Sequence, residues 1–307
     1  LKLSPAHILV FDSGLGGSTV MQAIQARLPY CRFSYALDDA WFPFGEKSDA
    51  QLLPRILAYF EALLEQARPD LVVIACNTAS TLALDHLRQR FEVPFVGVVP
   101  AIKPALELSR SGVVGLLATP ATVRRDYVDR LWAELALTQS GLEAQGRRQL
   151  IKFSCPALVT LAEARLRGKA FDELEFERAV AAIKAQAGAA GVDVFVLGCT
   201  HFPALTDRLS ACWPEDVQWL DSGDAIARRV EFLLRSGGLP NGGLYHESLR
   251  PQPGRAASMG AASGVLYQTG RLDVEGAGKN AALPEVLVQS GVKHRKPLCL
   301  QAVAAAL

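Results

Sequence analysis

No stretch of about 18 consecutive apolar residues occurs in the chain, so the sequence offers no helix that could span a bilayer. Neither charge dominates: 32 Lys and Arg stand against 31 Asp and Glu, a net charge of +1. Without a broad positive field, nucleic acid and anionic membrane are not expected partners, whereas a small substrate is. The start lacks the charged, apolar and small-residue segments of a secretory signal, which makes the cytoplasm the expected location. Six cysteines in 307 residues are too sparse for a disulfide framework, and no Cys-x-x-Cys spacing marks a zinc or redox site. What remains is a soluble protein of a reducing compartment with room for two domains.

Against these absences one pattern stands out. Asp70-Leu71-Val72-Val73-Ile74-Ala75-Cys76-Asn77-Thr78 is matched by Asp193-Val194-Phe195-Val196-Leu197-Gly198-Cys199-Thr200-His201, 123 residues further on. In each, Asp opens a continuous apolar run of the length of a buried parallel strand, and small polar residues follow the Cys where a helix can start. Free Cys is commonly just a small buried hydrophobe. Two of them at matched strand ends point instead to two related halves, each offering one thiol to a shared crevice at the carboxyl ends of the strands.

The rest of the chain alternates strand and helix, which argues for an α/β protein with parallel sheets covered on both faces. A strand over 7–11 runs into Asp12-Ser13-Gly14-Leu15-Gly16-Gly17 and a helix over 18–28. The turn is similar to a phosphate cradle, but Thr19 stands where a dinucleotide fingerprint has its third glycine, and Asp12 would repel a pyrophosphate. Asp12 instead suits an ammonium, and Ser13 with the turn's N–H groups a carboxylate. Ser48 and Gln51 form a capping box for a helix reaching 67. In the second half, Thr119-Pro120-Ala121-Thr122 closes a strand over 113–118, placing hydroxyls where the first half has Asp12-Ser13. The strand near 218–220 is expected to return to the first domain, giving a discontinuous domain of residues 1–98 plus 206–307 around a second one of 99–205, with crossovers near Gly97 and Pro203. Residues 237–264 read as a long Gly/Pro-rich loop; 265–269, 279–289 and 298–303 read as folded.

Three chemistries suit two strand-end thiols. Cys76, Cys199 and His201 are zinc-ligand types, although Cys-x-His is an unusual spacing for that metal. His201 could activate a single nucleophilic Cys199, leaving Cys76 without a task. Inversion of a stereocentre uses both: a base takes the proton from one face of a carbon and an acid returns one to the other. Thiols, with an ordinary pKa of about 8.5, reach both protonation states near neutrality. Asp12 and His201 would poise them, and Ser13, Asn77, Thr78, Thr119, Thr122 and Thr200 are short donors suited to carboxylates.

Taken together, Asp12 to Gly17, Pro43-Phe44-Gly45, Ala75-Cys76-Asn77-Thr78-Ala79-Ser80, Thr119 to Thr122, Cys155-Pro156 through Glu163, and Gly198-Cys199-Thr200-His201-Phe202-Pro203 resemble the glutamate racemases over about residues 7–235. The resemblance implies two pseudo-symmetric flavodoxin-like domains with the active site in the cleft between them, no cofactor or metal, a homodimer, and D-glutamate made for peptidoglycan. It implies Cys76 and Cys199 as the acid/base pair, Cys76 acting on D-glutamate and Cys199 on L-glutamate. Asp12, Ser13, Phe44, Gly45, Asn77, Thr78, Thr200 and His201 follow as substrate contacts, with Thr119, Thr122 and Glu163 as weaker ones. Phe44 departs from the family's usual Tyr. A racemase of another acidic amino acid or hydantoin, or a binding module without catalysis, are the alternatives.

Overall fold

The computed structural model describes residues 5–138, 148–236, 264–269 and 285–297. Its first half alternates β1 (His7–Asp12), α1 (Ser18–Arg27), β2 (Arg32–Leu37), α2 (Asp49–Ala67), β3 (Leu71–Ile74), α3 (Asn77–Arg90) and β4 (Phe95–Gly97). The second repeats the scheme with α4 (Ile102–Leu108), β5 (Val113–Ala118), α5 (Pro120–Val123), α6 (Asp126–Thr138), β6 (Gln149–Ser154), α7 (Pro156–Leu166), α8 (Glu173–Ala185), β7 (Val194–Gly198), α9 (Thr206–Ala211) and β8 (Gln218–Leu220). After α10 (Gly223–Arg235) come β9 (Gly264–Gln268), α11 (Glu285–Gln289) and β10 (Val292–Pro297). The strands form two sheets, β10-β9-β2-β1-β3-β4 and β6-β5-β7-β8, with every pairing parallel. The orders β2-β1-β3-β4 and β6-β5-β7-β8 are the same, so the repeat seen in the cysteine runs extends to whole half-molecules. In each, the Cys follows the strand beside the point where the connections diverge, the place where open α/β sheets bind ligands.

All four residues of β3 and all five of β7 are buried, which is why both runs are apolar without alternation. The Asp that opens each run is a hook at the amino end of its sheet. Asp70 accepts the His7 N–H at 2.7 Å. Asp193 accepts the Ser109 hydroxyl at 2.6 Å and the N–H groups of Arg110 and Ser111 at 2.7 and 2.8 Å. Helices cover both faces of each sheet: α1 and α10 pack on one face of the first and α2 and α3 on the other. In α10, Ile226, Val230 and Leu234 recur every four residues and join Val20, Met21 and Ile24 of α1 in one core.

The chain returns to the first sheet later than its sequence suggests. Gln218–Leu220 pairs with β7, not with the first sheet, and Leu209 of α9 is buried in the second sheet's core. The deciding contact is aromatic: Trp219 stacks on Phe195 with ring centroids 4.7 Å apart and 9° between planes. The crossings therefore lie at residues 98–101 and 221–222, and the Ser222 hydroxyl, donating to the Val99 carbonyl at 2.8 Å, ties them together. α8 stops at Ala185, ahead of Gly188 in the left-handed region at φ 83°. Residues 265–269 are largely β9, and 279–289 is described only from Glu285 onward, as α11; the loop expectation over 237–263 and the apolar segment 298–303 lie outside the described residues.

One buried ion pair sets the path of the loop after β2. The Arg55 guanidinium of α2 donates to both oxygens of the fully buried Asp38, at 2.8 and 2.7 Å, and the Thr269 hydroxyl donates to the same carboxylate. Arg55 also lies over the Trp41 ring, 5.3 Å from its centroid. Truncating Arg55 would strand a buried carboxylate. Arg55→Met should therefore lower the unfolding free energy by about 3–5 kcal/mol in denaturant titrations; a loss below about 1 kcal/mol would show that the pair does not hold this loop.

Candidate active site

β1 ends at Asp12, whose buried carboxylate joins the two halves of the molecule. One oxygen accepts the Ser13 N–H at 2.6 Å, and the other accepts the Thr200 hydroxyl from the end of β7 at 2.8 Å. Between β1 and α1 the chain has to pass close under the second half. A Cβ on Gly16 would lie 2.5 Å from Nδ1 of His201, so only glycine admits the imidazole there. The Tyr35 hydroxyl of β2 donates to the Gly14 carbonyl at 2.7 Å and braces the turn. The Leu15 N–H, which a phosphate would have used, is spent on the Glu163 carboxylate at 2.8 Å. At Leu15 the carboxylate that the turn receives belongs to the protein.

Cys76 occupies the cap position of α3, with its sulfur 3.8 Å from the Ser13 hydroxyl oxygen. Cys199 directly follows β7, and its sulfur lies 3.7 Å from His201 Nδ1. Both thiols are buried, and both line a single cavity of about 270 Å³. Its other walls are Asp12, Ser13, Pro43, Phe44, Gly45, Asn77, Thr78, Thr119, Val159, Thr200 and His201. None of these lining residues is Lys or Arg, so apart from His201 an anion would be held by hydroxyls and amides.

Two residues named from sequence stand behind the wall. Thr122 supports Thr119, whose hydroxyl lies 3.0 Å from that of Thr122 and 3.2 Å from that of Thr78. Glu163, on α7, lies 2.9 Å from Nε2 of His201 and is held from its other oxygen by Arg167, with Nε at 2.8 Å. The carboxylate thus faces the imidazole instead of the cavity. Phe44 lines the cavity, but its ring is in the core against Phe11, centroids 6.2 Å apart. Val159 and Arg167 went unnamed in the sequence; each lies four residues from Glu163, Val159 on α7 and Arg167 capping its C-terminal end, the spacing that places them on its face.

Electrostatics separate the two thiols. Burial raises the Cys76 pKa, and the neighbouring Asp12 charge raises it further, keeping this sulfur protonated. Burial alone would lower the pKa of His201, but its hydrogen bonds to Cys199 and Glu163 outweigh that and carry it well above the ordinary value. Burial likewise works against Glu163, yet His201 and Arg167 hold its carboxyl below the usual range. Asp12 is raised by burial, with His201 and the Thr200 hydroxyl opposing. The result is a protonated Cys76 beside Asp12 on one side and Cys199 facing an imidazolium on the other. Among the described residues no group of His, Cys, Asp and Glu is arranged to hold a metal ion.

The family model for Asp/Glu/Hydantoin racemase matches residues 20–230. Over 228 residues the chain is 47% identical to a glutamate racemase of Sphingopyxis alaskensis, covering 74% of this chain and 82% of that protein. A glutamate racemase of Vibrio cholerae is 44% identical over 228 residues, 74% of this chain and 80% of its own length. The solved structure of Escherichia coli glutamate racemase with L-glutamate and the activator UDP-MurNAc-ala aligns with a TM-score of 0.76 at 36% identity, over 96% of this chain and 98% of that one. The Bacillus anthracis isoform RacE1 aligns at 0.65 and 25% identity, over 87% and 90%. With the repeat architecture and both cysteine motifs in place, this chain belongs to the Asp/Glu/Hydantoin racemase family.

Proposed function

We propose that this protein interconverts L- and D-glutamate by proton transfer between two cysteines, without a cofactor. One observation carries the reading: two thiols, one from each repeat, line the same cavity. L-glutamate is the substrate favoured by its place in the Escherichia coli relative and by the names of the relatives. Cys199, facing the His201 imidazolium, acts as thiolate and takes the α-proton of L-glutamate; the electron pair stays on the α-carbon and its carboxylate. Cys76, kept protonated by burial and by Asp12, delivers its proton to the other face, and D-glutamate leaves with Cys76 as the thiolate. With D-glutamate as substrate the roles exchange. Asp12 receives the substrate ammonium, and the hydroxyls and amides of Ser13, Asn77, Thr78, Thr119 and Thr200 hold the carboxylates. The N–H groups that open α3 support the negative charge as it develops. The same reading carries the expectation of a cytoplasmic homodimer whose D-glutamate feeds peptidoglycan synthesis.

A two-sided transfer leaves an isotopic mark. In D₂O, L-glutamate should yield D-glutamate that already carries deuterium at the α-carbon in the first turnovers, while unreacted L-glutamate keeps its proton; NMR with chiral analysis reads both. Deuterium entering L-glutamate as fast as the D isomer forms would mean one group working from one face. Absence of exchange with glutamate, or faster turnover of aspartate, would overturn the substrate.

The two serine variants separate the faces. Cys76→Ser and Cys199→Ser should each lower racemization about 100- to 10,000-fold. Cys76→Ser should still exchange the α-proton of L-glutamate, because Cys199 can remove and replace it on one side, and Cys199→Ser should do so only with D-glutamate. If both variants exchanged the same enantiomer, the assignment of faces would be wrong.

A further inference from the structure

We infer that Arg167 is a positioning residue for the Cys199 half of the reaction, acting through Glu163 and His201. The contacts form one line: Cys199 sulfur to His201 Nδ1 at 3.7 Å, His201 Nε2 to Glu163 at 2.9 Å, and Glu163 to Arg167, whose Nε and Nη2 stand 2.8 and 2.6 Å from its second oxygen. Arg167 Nη2 continues to Asp39, in the loop after β2, at 2.5 Å. The Arg167 side chain is only 14% exposed and that of Asp39 12%, so this is a largely dry network and not a surface ion pair.

The charges alternate along the line, and Arg167 is the cation that makes the alternation work. Glu163 faces His201 from the segment after β7, Arg167 from the C-terminal cap of its own helix, Asp12 from the end of β1, the Leu15 N–H from the turn that follows, Tyr35 from β2 and Asp39 from the loop beyond it. Three of these groups are acids or a phenol that disfavour a second negative charge nearby. Apart from His201, Arg167 is the one cation in that shell of described residues. Its planar fork also fixes the Glu163 carboxylate in orientation, which a point charge would not do. With the carboxylate fixed, the imidazole donates towards Cys199 on one side and Glu163 on the other, and its Phe42 neighbour, centroids 5.5 Å apart, closes the remaining face. Removing Arg167 raises the pKa of Glu163. A protonated Glu163 no longer balances the imidazolium, so activity that needs the Cys199 thiolate is lost at a higher pH than before.

The inference rests on the racemase reading for its kinetics, so its test has a readout that does not. In a Cys76→Ser background, the rate at which iodoacetamide alkylates residue 199, followed by mass spectrometry across pH, reports the thiolate directly. Arg167→Met should slow that alkylation about tenfold near neutrality and move its acidic limb upward in pH. Arg167→Lys should recover part of the rate, and Asp39→Asn, which removes only the charge of the outer contact, should leave it unchanged. With both cysteines present, Arg167→Met should lower kcat from L-glutamate about 10- to 100-fold with KM within about threefold. Equal alkylation rates and pH profiles in Arg167→Met and its parent would overturn the inference, as would Asp39→Asn matching Arg167→Met, which would make Arg167 a loop tether. Should glutamate not be turned over at all, the alkylation arm still decides the role of Arg167.

Discussion

Inverting a carbon centre by proton transfer requires acid–base groups on two sides of it, and one sheet edge presents its functional groups from one side only. The repeat answers that requirement. Two four-stranded units of the same order each place a cysteine at the carboxyl end of the strand next to their switch point, and the cavity between them receives both. The contacts that hold the units in this relation are themselves at the site: Thr200 to Asp12, Leu15 to Glu163, and Thr78 to Thr119. Architecture and chemistry thus share the same few residues, and a shift of one unit against the other would misplace both.

The cavity wall is built for holding charge without mobile cations. Asp12 and His201 are buried there, with Glu163 directly behind His201, and each has a hydrogen-bonded partner, as the cost of burying charge demands. Placing a Lys or Arg beside the thiols would stabilise both as thiolates. In the proposed reaction the guanidinium of Arg167, held one residue back behind Glu163, acts on the imidazole without standing beside Cys76. Gly16 completes the design on steric grounds, since any side chain there would push the imidazole off Cys199.

Much of this was legible in the residues. Continuous apolar runs ending in Cys marked the buried central strands, and the shared spacing marked the repeat. Local pattern failed where tertiary contacts decide. Three residues, Gln218 to Leu220, carry too little pattern to choose a sheet, and the stacking of Trp219 on Phe195 chose for them. Glu163 was legible as a site residue only through resemblance; its neighbour across the cleft, the Leu15 N–H, is 148 positions away, and no periodicity reports a contact of that separation. Arg167 was hidden for the opposite reason. It sits one helical turn from Glu163, where a charged pair is commonly a solvated one.

The account stands on where the two sulfurs lie relative to a bound substrate. A crystal structure with D- or L-glutamate in the cavity tests this most directly. The α-carbon should sit between Cys76 and Cys199, with each sulfur about 3–4 Å away on opposite faces. Glutamate bound elsewhere, or with both sulfurs on one face of its α-carbon, would contradict it.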